Sequence, residues 1–85
     1  MDPLACLRNI EDTINAHEEC EGFEWIRDYY EWRRKGGFEP TGIIPNHLAD
    51  KTPRDGDLFH AMLITWYGLT FGADALKEVI RYKLV

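Results

Sequence analysis

Leu7, Ile10 and Ile14 recur at spacings of three and four, which places them on one helical face with Leu4 and Cys6 on its flanks. Asp2 suits an N-cap and Pro3 the first helical position. A first helix is therefore expected from about Pro3 to Cys20, with Gly22 as its stop. Trp25, Ile26, Tyr29, Tyr30 and Trp32 form one broad face opposite Glu24, Asp28 and Glu31, predicting a second helix from about Phe23 to Lys35. Acids come early in it and Arg33, Arg34 and Lys35 last, as a helix dipole prefers. Arg33 falls within the aromatic face, in position to stack on Tyr29 or Trp32 or to reach an acid of the first helix.

Residues 36–56 lose this periodicity and hold three of the four prolines and four of the seven glycines. A connection of that length is uncommon in a compact domain. Ile43, Ile44 and Leu48 are expected to pin it to the core, with a helical turn over Asn46 to Asp50. A third helix follows, from Asp55 or Asp57 to about Thr70, apolar on all sides and expected to be buried on most of them. Ala61, Thr65, Gly68 and Gly72 form a strip of small residues along it, where a helix of the same chain or of a second copy can approach closely. Gly72 breaks this helix and Asp74 caps a fourth, to about Lys83, which turns Leu76, Val79 and Ile80 inward. Leu84-Val85 is expected to pack down at its end. The pattern is that of an all-α domain over residues 1–85, with four main helices and a long Pro/Gly-containing connection between the second and third.

Composition narrows the function classes. An 85-residue chain leaves few side chains beyond its core from which to build an internal active site. Fifteen acids against ten bases give a net charge of −5, and residues 11–24 hold six acids and no base. Direct binding of nucleic acid, which needs a basic surface to displace counterions, is not expected. An acidic patch attracts a basic partner instead. Cys6 and Cys20, if both lie on one helix, stand about 21 Å apart at ~1.5 Å per residue, too far for a disulfide. Free thiols, the lack of a signal-peptide pattern and the lack of a long apolar run point to a cytoplasmic protein away from membranes.

Candidate chemistry is sparse. His17-x-x-Cys20 offers two metal-ligand types one turn apart, but Cys6, His47 and His60 show no paired spacing to complete a zinc site. Asp57-x-x-His60 is half of a carboxylate–histidine pattern whose second copy is missing. Asp57 reads better as an N-cap or first-turn acid, and His60 as a core histidine hydrogen-bonded to a neighbour. The chain contains no serine, no phosphate-binding glycine loop and no cysteine beside a recognisable base. No metal and no cofactor are expected.

The reading that fits best is a non-enzymatic protein-binding module. Its acidic corner (Glu18, Glu19, Glu21, Glu24) and nearby Trp25, Tyr30, Trp32 and Arg33 would contact the basic surface of a larger protein. By analogy of size and charge, an inhibitor of a nucleic-acid-handling protein fits, of the kind phages and mobile elements use against host defence systems such as CRISPR. Two alternatives stand beside it. One is an assembly protein that forms homodimers through Ala61, Thr65, Gly68 and Gly72. The other is a metal-dependent hydrolase at a dimer interface, with Glu18 and Glu21 facing Glu24 and Asp28 across a corner at Gly22.

Overall fold

A computed structural model describes residues 2–43 and 54–84. Among the described residues there are four helices: α1 (Pro3–Asn15), α2 (Glu19–Arg34), α3 (Gly56–Phe71) and α4 (Ala73–Leu84). The domain is all-α, as the periodicity predicts. α2 and α3 form its middle; α1 packs against both on one side and α4 against both on the other, without α1 and α4 touching. The molecule measures 31 × 31 × 17 Å, which is about two helix layers at ~8–10 Å between axes. Ile44, Leu48, the turn over Asn46 to Asp50, His47 and Val85 lie outside the described residues.

The first two helix boundaries differ from the sequence reading. Asp2 caps α1 as expected, its carboxylate accepting from the backbone N–H groups of Leu4 (3.0 Å) and Ala5 (3.3 Å). The helix ends not at Gly22 but at Asn15, because His17 takes the left-handed conformation (φ 58°) that glycine usually supplies. The His17 N–H donates to Ile14 O (3.1 Å) and the Glu18 N–H to Thr13 O (2.9 Å), the paired bonds of a Schellman stop. Gly22 then sits inside α2, buried, at a close approach of three helices. A Cβ there would lie 3.3 Å from Thr13 Oγ1 on α1 and 3.3 Å from the Tyr67 ring on α3. His17 and Cys20 are consequently not on one helix, and neither are Cys6 and Cys20. Both cysteines are free, Cys6 buried and Cys20 exposed. No corner exists at Gly22 for acids to face each other across.

Leu7, Ile10 and Ile14 of α1, Ile26 and Tyr29 of α2, Phe59 and Leu63 of α3 and Val79 of α4 are almost wholly buried and form the core. Ile43 joins them from the connection, where it and Arg54 exchange reciprocal backbone bonds (2.7 and 2.6 Å). Two burial expectations fail on α3 and α4. α3 is not covered on most sides, since Leu58 is 50% and Leu69 82% exposed. Ile80 is 46% exposed, and Tyr82 takes its place in docking α4, edge-on to Phe23 and Tyr30 with its hydroxyl donating to the Glu31 carboxylate. Gly56 opens α3 where the chain passes close to Tyr29 of α2. A Cβ there would stand 2.5 Å from the Tyr29 hydroxyl and 3.0 Å from Pro40 O. Helix propensity alone favours alanine over glycine by up to ~1 kcal/mol. Steric overlap predicts the opposite sign for Gly56→Ala, a loss of about 1–3 kcal/mol. A urea midpoint that rises in this variant would contradict the packing described here.

Candidate functional site

The acidic corner follows directly from the Schellman stop. Because α2 starts at Glu19, Glu18 becomes its N-cap, Glu19 and Glu21 lie in its first turn, and Glu24 lies one turn on. The positive end of the helix dipole offsets part of their repulsion. All four side chains are exposed, and among the described residues none of them makes an ion pair. Hydrogen bonding to the Glu18 carboxylate, and the charge it carries, raises the pKa of Glu21 above the ordinary glutamate value.

Beside this corner a groove of about 370 Å³ runs between α2 and α4. Glu19, Cys20, Phe23, Glu24 and Arg27 form one wall, Ala75 and Glu78 the other, and Tyr67 of α3 completes the lining. The Tyr67 hydroxyl donates to the Glu19 backbone carbonyl (3.2 Å), which ties α3 to the start of α2. Burial pushes its pKa up to about 12. The groove therefore combines aromatic and aliphatic surface with three carboxylates and one guanidinium.

The sequence-predicted aromatics lie elsewhere. Trp25 and Trp32 border a separate groove with Asp28, Glu31 and Lys35. Trp25 packs partly against the core. Trp32 stacks edge-on to Phe38 and donates its Nε1–H to Phe38 O (3.1 Å). Tyr30 donates to Lys83 O (3.0 Å) and so holds the end of α4. Arg33 reaches an acid of α3 rather than of α1: its Nε and NH2 groups donate to the two Asp57 oxygens at 2.9 and 3.0 Å. NH1 donates to Gly37 O (2.6 Å), and NH2 also lies 3.9 Å from Glu39 Oε1. The expected site thus divides. The four glutamates form one surface, whereas Trp25, Tyr30, Trp32 and Arg33 brace other parts of the fold.

The small-residue strip divides as well. Gly68 is the contact with α4, where a Cβ would lie 3.0 Å from Leu76. Gly72 ends α3 with φ 101°, in the left-handed region that favours glycine. Ala61 and Thr65 are exposed, and Thr65 donates to the Ala61 carbonyl (3.2 Å). Next to them Met62, Trp66 and Leu69 border an apolar groove.

A third constellation emerges only in three dimensions. Tyr29, Tyr30 and Arg33 of α2, Asp57 and His60 of α3 and Lys83 of α4 surround a cavity of about 200 Å³. The Tyr29 hydroxyl donates to Asp57 Oδ1 (2.9 Å), and Glu39 caps the Asp57 N–H (2.9 Å). Hydrogen bonds from Arg33, and secondarily from Tyr29, hold Asp57 below the usual carboxylate range. His60 is buried against the Tyr29 ring, with Nε2 3.0 Å from Ile26 O. Burial, helped by the charge of Lys83, lowers its pKa to about 4, so the imidazole is neutral. Burial also lowers Lys83. Comparison of the chain with family models, with curated proteins and with solved structures finds no match.

Among the described residues no three histidine, cysteine or acidic side chains are grouped to hold a metal ion, and no helix is long and apolar enough to cross a membrane.

Proposed function

We propose that this chain is a non-enzymatic protein-binding module whose contact surface is the groove between α2 and α4 and its acidic rim, Glu18, Glu19, Glu21 and Glu24. The observation that carries this reading is the pairing of apolar groove surface (Phe23, Tyr67, Ala75) with the rim carboxylates Glu18, Glu19, Glu21 and Glu24, which among the described residues make no ion pair. A lysine or arginine of a partner places its aliphatic stem on such a surface and its charge among the acids. The partner is thus a larger protein with a basic surface. A nucleic-acid-handling protein, whose cationic groove this module would occupy as an inhibitor of the anti-defence type, meets that description. Cysteines left free fit a reducing, cytoplasmic setting.

Affinity capture from a nuclease-treated lysate of the source cells tests this. The expected result is one larger protein, retained by the wild-type chain and lost with Ala75→Phe, which fills the groove without altering charge. Undiminished capture by the filled variant would place the contact elsewhere.

One observation favours a second reading, assembly into a homodimer through α3. Leu69 is 82% exposed beside Met62, Trp66, Ala61 and Thr65, on a helix with no charged side chain after Asp57. A monomer mass unchanged by protein concentration would rule it out.

A further inference from the structure

The groove accounts for the acids but leaves the cavity between Tyr30, Arg33, His60 and Lys83 without a role. Its two cations differ in how far they are already paired. Both Asp57 oxygens are committed to Arg33 and Tyr29. Lys83 is half-buried, lies 5.1 Å over the Tyr30 ring, and among the described residues has no carboxylate within ion-pair distance. Arg33 is matched by Asp57 and also faces Glu39 at 3.9 Å, so Lys83 is the lining cation that no carboxylate among the described residues approaches within ion-pair distance.

The hydrogen-bond inventory narrows the ligand further. Arg33 has five N–H donors, of which three are used by Asp57 and Gly37. His60 faces a carbonyl through Nε2, so that nitrogen carries the proton and Nδ1 is left as an acceptor. A ligand complementary to this wall needs negative oxygens for Lys83 and Arg33 and a donor for His60 Nδ1. Carboxylate and sulfate supply the first without the second at neutral pH. Hydrogenphosphate supplies both.

We propose that the cavity between α2, α3 and α4 binds inorganic phosphate in a protonated form. Its anionic oxygens accept from Lys83 Nζ and the two remaining Arg33 donors, and its P–OH donates to His60 Nδ1. Charge-assisted bonds at a half-buried lysine are stronger than neutral ones and fix the anion's orientation.

The test is titration of the full chain with inorganic phosphate at mildly alkaline pH and constant ionic strength. It is followed by amide chemical shifts around His60 and Lys83. The expected result is saturable binding that weakens by about tenfold or more in Lys83→Met. Sulfate and methyl phosphate, which lack the proton under these conditions, are expected to bind the wild-type chain about tenfold more weakly or worse, since His60 Nδ1 then has no donor. Because that comparison uses the unaltered chain, it holds even if Lys83→Met fails to fold. Absence of saturation, unchanged affinity in a folded Lys83→Met, or equal binding of sulfate would overturn the assignment.

Discussion

Tyr29→Ala is expected to remove a large part of the stability of this domain. Tyr29 is 1% exposed, its ring stacks against His60 with centroids 4.5 Å apart, and its hydroxyl anchors Asp57 across from α2 to α3. Truncating a fully buried aromatic costs about 3–5 kcal/mol, through lost burial and the cavity left behind. Small domains commonly have only about 5–15 kcal/mol in total. Tyr29→Phe keeps the ring and loses only the bond to Asp57, which retains Arg33, so its cost is about 0.5–1.5 kcal/mol. Urea unfolding of the pair separates the two contributions. An alanine variant within ~1 kcal/mol of wild type, where truncation of a packed aromatic predicts several times that, would mean that the α2–α3 packing is wrong.

The second large effect is on acid stability. His60 has a folded pKa of about 4 against 6.5 in the unfolded chain, because burial disfavours the imidazolium. Between those values the unfolded chain binds more protons than the folded one, so stability falls as pH falls through this window. The full contribution is present above the unfolded pKa, and roughly 3 kcal/mol is lost by the lower limit, at ~1.4 kcal/mol per pKa unit. The groups around His60 do not produce the same signal. Burial raises Tyr29 on α2 further above its alkaline reference value, burial lowers Lys83 on α4 from the ordinary lysine value, and the lowered pKa of Asp57 acts below the window. Glu21, whose pKa is raised, contributes with the opposite sign and is fully exposed. Melting temperature against pH is expected to drop across the window in the wild type. His60→Gln, which keeps a donor for Ile26 O, is expected to flatten that drop. An equal drop in both would assign it to other groups.

Much of the fold was legible because its helices carry their own instructions. The Leu7–Ile10–Ile14 stripe, the Asp2-Pro3 start, and the Gly72 break each act within a few residues, and each holds in the structure. The α1–α2 boundary was not legible. A glycine is the ordinary stop signal, yet the left-handed position is taken by His17 while Gly22 serves helix–helix contact. Burial around α3 was misjudged for a related reason. An apolar residue at every helical angle predicts covering on all sides, but three partner helices leave Leu58 and Leu69 outside.

The site was legible in part. A run of acids without bases marks the corner, since neighbouring residues on one helix end need no tertiary information to be placed together. Its groove, however, needs Ala75 and Glu78 from α4 and Tyr67 from α3, which no local pattern connects to Glu19. The Asp57-x-x-His60 spacing points to an N-cap or first-turn acid and a core histidine; Asp57 lies in the first turn, with Asp55 at the N-cap, and His60 is buried. What it could not show is that Arg33, from 24 positions earlier, would neutralise Asp57 beside a cavity that Lys83 also lines.

The most direct test of the proposed function is quantitative capture of the partner by the wild-type chain and by a Glu19→Lys/Glu24→Lys variant at low and at moderate salt. Circular dichroism serves as a check that both are folded. The binding-module reading predicts a loss of affinity of at least about tenfold in the charge-reversed variant, larger at low salt, where screening is weakest. Equal affinity of the two folded proteins at both salt concentrations would contradict it.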